Sequence, residues 1–413
     1  MDDRLNRQRL IEGWNQDALD KAKIAVIGDN DLLASSYVMS AAALGINHIV
    51  VVAPTLDKNL MAVAQGVNEK ANLIGIQGNY VHPSMEKLIA GCNLVVDLSS
   101  FSLANKLLIQ RAYEQQIPVI RAALAEDKGQ VGFNIFSYMR GREWACLDEV
   151  ISPNALPTEH FDDPVLDLIT SGIALEETKN VLMGQKVSEE VIKYRRDKIK
   201  KYDTKKKLFV TGAGALGNFA ALALAYSGFK DITIIDPDSA ELTNLNRQVL
   251  LFGGVGKPKA ETLAERINAF FGTKAKPIVE YLREGTDLTA FDAVFDCVDN
   301  FETRIVQSEL CKDKRVLVSG GTNVDAGQAV IYVPGKTVQT PAEFLGLYDI
   351  VKERKKAEYV RERAACTYRP NPSVIMTNQI IAAFMVEQYR RMLVGQEVGN
   401  VFYDSKSDSK IGG

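Results

Sequence analysis

The sequence predicts an α/β chain built as two tandem doubly wound units, each a mainly parallel sheet with helices on both faces. Three observations predict it. Short apolar runs alternate with helix-length segments along the whole chain, the pattern of strand–helix–strand crossovers. Landmarks recur in one order in the two halves of the 413 residues. A glycine-rich turn, Gly212-Ala-Gly214-Ala-Leu-Gly217, joins an apolar run to a helical one near the middle of the chain, although such a turn usually opens its domain.

The elements follow in pairs. Ile24 to Gly28 is an apolar run ending in glycine, followed by a helical stretch from Leu32 to Leu44 and a second run, His48 to Val52. Leu208 to Gly212 repeats it, with a helix to Tyr226 and a strand from Ile232 to Ile235. Asn93 to Asp97 matches Asp292 to Asp296, and Ile117 to Ile120 before Gly129-Gln130 matches Val316 to Ser319 before Gly327-Gln328. Late in each half a proline precedes a long amphipathic helix ending in Gly-Gln: Pro164 to Gly184-Gln185 and Pro372 to Gly395-Gln396. The offset drifts from 184 residues (Ile24 to Leu208) to 211 (Gly184 to Gly395), as loop insertions cause. The expected boundaries are a first unit over 1–192, a basic linker over 193–207 (KYRRDKIKKYDTKKK) and a second unit over 208–413 with a crossover segment at 334–371. The linker reads as solvated helix plus connector, Thr340 to Arg369 as helices beside a substrate groove, and the terminal DSKSDSKIGG as a floppy polar tail.

Composition narrows the function. A net charge of −3 gives no global pull toward nucleic acid or an anionic membrane, and no run approaches the roughly 18 apolar residues of a membrane span. The charged N-terminus does not read as a secretory signal. Cys92, Cys146, Cys297, Cys311 and Cys366 are odd in number, widely spaced and never in a C-x-x-C pair. That suits a reducing, cytoplasmic setting and gives no reason to expect zinc.

The two halves differ where chemistry would sit. In the second, Gly212 makes a tight turn, Gly214 lets backbone approach a phosphate and Gly217 lets helix and strand pack closely. The first half has Gly28-Asp-Asn-Asp-Leu-Leu33 there, with carboxylates where phosphate would lie, so no nucleotide is expected in it. Asp236, about twenty residues past the glycines, suits ribose hydroxyls; its counterpart is Ala53, and that of Asp299 is Ser100. A lone glycine turn with Asp236 would also suit a dinucleotide-dependent oxidoreductase. However, Asp238, Asn244, Asn246, Arg247, Gln248, Lys257, Lys259, Asp296 and Asp299 crowd the neighbouring loops. Such a set suits a triphosphate with Mg²⁺ better than nicotinamide, because guanidinium and ammonium groups bind phosphate and carboxylates hold the metal.

The sequence G-x-G-x-x-G, D-x-D, N-L-x-R-Q, G-x-P-K-A and D-C-x-D-N, in that order over about ninety residues, resembles the adenylation domain of the ubiquitin-activating, ThiF- and MoeB-like family. The resemblance implies a Rossmann-like fold of the ThiF type in both halves, forming a pseudo-dimer within the chain, with an inactive first copy and an active second. It implies ATP- and Mg²⁺-dependent adenylation of a carboxylate, often the C-terminal glycine of a small ubiquitin-like or sulfur-carrier protein. By motif, Gly212, Gly214, Gly217 and Asp236 would hold the nucleotide, Asn244, Arg247 and Lys259 the phosphates, and Asp299 the Mg²⁺. Family dimers borrow an arginine from an N-terminal R-Q segment; here that is Leu5 to Leu10, with Arg7 the candidate and Arg4 and Arg9 its competitors. Cys366, among Arg361, Arg363 and Arg369, stands where some members form a thioester, while Cys92, Cys297 and Cys311 read as core. Adenylation of a small-molecule or peptide carboxylate and a non-catalytic nucleotide-binding scaffold remain as alternatives, and further homo-oligomerisation is compatible with all of them.

Overall fold

A computed structural model describes residues 3–82, 85–139, 150–156, 161–353 and 371–413. The first half contains β1 (Lys23–Gly28), β2 (His48–Ala53), β3 (Asn72–Gln77), β4 (Leu94–Leu98), β5 (Val119–Asp127), β6 (Gln130–Tyr138) and β7 (Ile192–Asp197). Its helices are α1 (Asn6–Arg9), α2 (Gln16–Lys21), α3 (Asp31–Leu44), α4 (Lys58–Val67), α5 (Glu86–Ile89), α6 (Ser102–Gln115) and α7 (Pro164–Leu182). The second contains β8 (Lys207–Thr211), β9 (Asp231–Ile235), β10 (Lys276–Ile278), β11 (Ala293–Asp296), β12 (Val316–Thr322), β13 (Ala326–Tyr332), β14 (Val401–Asp404) and β15 (Ile411–Gly412). Its helices are α8 (Ala215–Tyr226), α9 (Lys259–Phe271), α10 (Phe301–Cys311), α11 (Pro341–Phe344) and α12 (Ile375–Leu393).

The sheet orders are β3-β2-β1-β4-β5-β6-β7 and β10-β9-β8-β11-β12-β13-β14-β15. Adding seven to each strand number of the first gives the second, apart from β15. Two doubly wound units therefore stand in tandem, as the repeated landmarks predict. Register sharpens the match: Ile27 pairs with Val52 and Asp97, and Thr211 pairs with Ile235 and Asp296. Ala53 and Asp236 follow at equivalent strand ends, as do Ser100 and Asp299.

Several expectations change. The sheets are parallel only through β5 and β12; the strands beyond run antiparallel. The β5–β6 turn shows why, since Lys128 (φ 49°) and Gly129 (φ 83°) form the two-residue, doubly left-handed turn that closes a hairpin. The basic linker is shorter than expected, because Ile192–Asp197 is β7, paired with β6. The terminal segment is no floppy tail: β15 pairs with β14, and Lys410 is buried against Glu177 of the first half at 3.1 Å. Nor are the long helices amphipathic. Both α7 and α12 are buried on every face over nearly their whole length, because each is wedged between its own sheet and the other half.

Helices α3 and α7 of the first half meet α8 and α12 of the second. Each half offers the same two helices, the isologous plan of a two-fold dimer realised inside one chain. The crossing is close: a Cβ on Gly172 of α7 would lie 2.8 Å from Ile380 of α12. Gln379 of α12 donates to Leu168 O and Ser171 Oγ, both at 2.8 Å, and accepts from Ser40 Oγ at 2.6 Å. At one end, Asp163 pairs with Arg196 (2.6 Å) and Arg390 (2.7 Å), and Glu387 closes the cluster against both arginines. One hydrophobic core runs through both halves.

Candidate functional site

The second-half turn carries the three glycine roles. Gly212 sits at φ 93°, and a Cβ there would lie 2.9 Å from Cys297 O. A Cβ on Gly217 would overlap the Gly212 carbonyl, so helix α8 packs onto the turn only with glycine there. Gly214 faces open space, with Gln248 Nε2 at 4.0 Å the nearest atom to a Cβ built on it. That opening lies at the N-terminus of α8, where unpaired N–H groups favour an anion.

Asp236 directly follows β9 and braces this turn. Its Oδ2 accepts from Ala213 N at 2.6 Å and its Oδ1 from Asp238 N at 2.8 Å. Burial pushes its carboxyl above the usual carboxylate range, against the pull of those two N–H groups and Lys259. Lys259, in the first turn of α9, bonds Asp238 Oδ2 at 2.9 Å. Lys257 is exposed on the loop that pairs with Ser239 through Pro258. Asn244 caps its own turn, its Oδ1 accepting from Glu241 N at 2.9 Å.

Arg247 is buried, yet its Nη1 bonds neutral oxygens, Thr243 O at 2.9 Å and Asn246 Oδ1 at 2.7 Å. Burial, then the nearby charge of Arg7, pushes it down to about 10, while Glu241 and Asp299 pull the other way; it stays protonated at pH 7. Asp299 is exposed on this side of the turn. Asp296, by contrast, is buried and structural, accepting from Gln307 Nε2 at 2.9 Å and Ser319 Oγ at 2.6 Å.

The N-terminal arm brings the first half to this site. Its opening turn packs on the Leu242–Asn244 turn. Arg7 is half-buried, with Nη1 3.4 Å from Asn371 O, and its charge reaches Arg247. Arg4 is buried and turned to Ala43 O in its own half. Cys366, Arg361, Arg363 and Arg369 lie outside the described residues, as does Cys146. Cys92, Cys297 and Cys311 are buried, and burial raises all three thiols, Cys311 to about 12.

Three further contributors take their roles from contacts that the sequence does not specify. Gln8, fully buried, accepts from Asn246 Nδ2 at 3.1 Å across the seam. Arg304 holds the Val298 carbonyl at 2.9 Å and 3.1 Å, fixing the turn that carries Asp299. Gln248 Oε1, buried beside Gly214, has no hydrogen-bond partner among the described residues. The R-Q dipeptide, the F-E-T-R run and the N-L-x-R-Q motif contain them, and none of these patterns names a partner.

A doubly wound unit with an open glycine turn, a bracing carboxylate after the next strand and a buried arginine that meets no carboxylate among the described residues has the layout of the mononucleotide-binding class of folds. The chain belongs to the ThiF family, whose model matches residues 187–407. It is 31% identical over 147 residues to the tRNA threonylcarbamoyladenosine dehydratase of Haemophilus influenzae, covering 32% of this chain and 54% of that protein. It is 36% identical over 136 residues to the adenylyltransferase and sulfurtransferase UBA4 of Yarrowia lipolytica, covering 31% and 33%. It is 34% identical over 137 residues to the SAMP-activating enzyme E1 of Haloferax volcanii, covering 31% and 50%. The chain thus spans between a third and just over half of these relatives. A crystal structure of E. coli MccB with ATP shares 22% identity over 51% of this chain and 63% of that one, with a TM-score of 0.41, too distant to bear on the chemistry. Among the described residues no helix is long and apolar enough to cross a membrane.

Proposed function

We propose that the second half adenylates a carboxylate with ATP and that the first half is its permanent, nucleotide-free partner. The observation that carries the reading is Arg247, a buried cation held by neutral oxygens and next in the chain to Gln248, which lines the opening at Gly214. A buried unpaired charge is costly, and an arriving anion removes the cost. In this reading the glycine turn cradles phosphate, Asp236 takes the ribose hydroxyls, and Asn244, Arg247 and Lys259 meet the triphosphate. Lys259 exchanges Asp238 for phosphate as the nucleotide enters.

Mg²⁺ fits as a metal that arrives with its substrate. Among the described residues no three His, Cys, Asp or Glu groups converge on one point, whereas one exposed carboxylate, Asp299, is the donor set such a metal uses alongside phosphates and water. When bound it would neutralise charge on the triphosphate.

The substrate carboxylate, ionised at pH 7, attacks the α-phosphorus in line. The bond to the bridging oxygen breaks, and pyrophosphate leaves with the electron pair. No proton need move, so the protein orients the reactants and stabilises charge, with Arg7 supplying a cation from the partner half. We take the substrate to be the C-terminal glycine of a small ubiquitin-like or sulfur-carrier protein; in support, one relative is named an adenylyltransferase and sulfurtransferase and another a SAMP-activating enzyme E1. The Cys366 thiolate would then attack the acyl carbon of the adenylate, break its bond to the phosphate oxygen and release AMP, leaving a thioester, in a cytoplasmic setting that keeps the thiol reduced. The test is ATP–pyrophosphate exchange with and without a ubiquitin-like carrier. Exchange that requires the carrier and fails in Arg247→Ala supports the reading. Binding of NAD in place of ATP, or exchange untouched by Asp299→Ala, contradicts it.

A further inference from the structure

The hydrogen bonds that join the two halves beside the glycine turn form one directed chain, and three of its ends cannot reverse. Trp14 Nε1 can only donate, and it donates to Gln16 Oε1 at 3.0 Å. Asp20 accepts from Gln16 Nε2 at 2.8 Å, and the Leu44 carbonyl accepts from Gln8 Nε2, also at 2.8 Å. Gln16 must therefore show its oxygen to Gln8, whose Nε2 meets it at 2.6 Å. Only the oxygen of Gln8 is left for the other half, and Asn246 Nδ2 donates to it at 3.1 Å. That orientation turns Asn246 Oδ1 toward Arg247, whose Nη1 it holds at 2.7 Å. Gln8 and Asn246 are wholly buried. Reversing either amide would set like ends against each other, where an unmade bond is expensive.

We propose that Gln8 is a positioning residue for the nucleotide: the first half fixes the polarity of Asn246 and, through it, aims the Arg247 guanidinium at the phosphates. The inference rests on the adenylating reading above. Arg247 needs such a tether because the neighbouring Arg7 charge repels it. Both bonds that hold Arg247 use Nη1, which leaves the Nε–Nη2 edge as a fork for a phosphate oxygen pair. The first half thus contributes more than one cation at the site; it also orients a cation it does not own.

The test is calorimetric titration of the full chain with MgATP and, separately, with adenosine. Gln8→Met keeps the volume and removes the acceptor. Its affinity for MgATP should fall about tenfold, the worth of a hydrogen bond to a charged group. Adenosine affinity should hold, because adenosine never meets Arg247. In an Arg247→Ala background the same change should cost nothing further. A folded Gln8→Met chain whose MgATP affinity stays within about twofold of wild type overturns the proposal. So does a parallel fall for adenosine, or a loss that persists without Arg247. Asn246→Leu cuts the same link from the second half and should give the same pattern if Gln8→Met does not fold. Wild-type protein that binds no ATP would sink the adenylating reading itself, a result distinct from a variant indistinguishable from a wild type that does bind.

Discussion

The turn after β1 and the turn after β8 share a backbone plan and answer the same electrostatic demand in opposite ways. Both open a long helix whose first N–H groups have no acceptor within the helix itself. In the first half the chain supplies its own acceptors. Asp29 Oδ2 accepts from Ser100 N at 2.8 Å and Ser100 Oγ at 2.7 Å, and Asn30 Oδ1 caps α3 by accepting from Leu33 N at 3.0 Å. Asn30 Nδ2 then ties the turn to Asp162 and Asp167, each at 3.0 Å. In the second half Gly214 caps nothing, and the space stays open. The arms are unequal too. The segment before β1 reaches the second half's site, while Tyr202, in the segment before β8, stacks on Phe229 and bonds Ser227 O within its own half. A duplicated fold can keep one site and turn the other into structure by filling the anion position from within.

The largest expected effect breaks the halves apart. Asp163→Ala leaves Arg196 and Arg390 buried without their shared carboxylate, and should cost about 3–5 kcal/mol in chemical denaturation. The pH dependence follows from the same group. Burial alone would raise Asp163, but Arg390 and Arg196 hold it below the usual carboxylate range. Its folded value thus lies below the unfolded value of about 3.9, so its contribution is present above that pH and is lost as pH falls through the folded value. Asp163→Asn should flatten that acid limb; a limb unchanged in Asp163→Asn would show that the cluster does not govern acid stability.

Next comes the borrowed cation. Arg7→Ala should slow pyrophosphate exchange by roughly 10²–10³-fold, the usual cost of losing a preorganised donor, while the melting temperature holds. Full activity in Arg7→Ala would leave the first half as a mere scaffold.

The glycines then separate fold from function. Gly217→Ala drives a methyl into the Gly212 carbonyl and should lower stability by about 1–3 kcal/mol. Gly214→Ala meets nothing closer than 4.0 Å, so thermal stability should hold while ATP affinity falls at least about tenfold. Equal effects from the two would erase the distinction. The smallest effect is in the first half: Asn30→Gly should leave ATP affinity within about twofold of wild type, as measured by calorimetry.

Much of this was legible in the sequence, and for physical reasons. Glycine at a left-handed turn and under a close crossing leaves a residue signature, so Gly212, Gly214 and Gly217 announced their places. The doubling of the fold was legible because the repeated landmarks imply one topology for both halves. What stayed hidden depends on partners far along the chain. The run Lys193–Asp197 read as the start of a linker because its alternation is masked: the inward residue beside Ile192 and Tyr194 is Arg196, acceptable there only because Asp163 and Glu387 neutralise it. The terminal segment looked unstructured for the same reason, its burial resting on the Lys410–Glu177 pair across the seam. The R-Q dipeptide favoured Arg7 but left Arg4 and Arg9 as competitors; packing turns Arg4 into its own half and Arg7 toward the other.

Counting bound nucleotide tests the central asymmetry most directly. Equilibrium dialysis of the full chain against labelled ATP should find one ATP per chain, and that one should be weakened by Gly214→Ala but not by Asn30→Gly. Two ATP per chain, or a single ATP whose affinity responds to Asn30→Gly and ignores Gly214→Ala, would contradict the account.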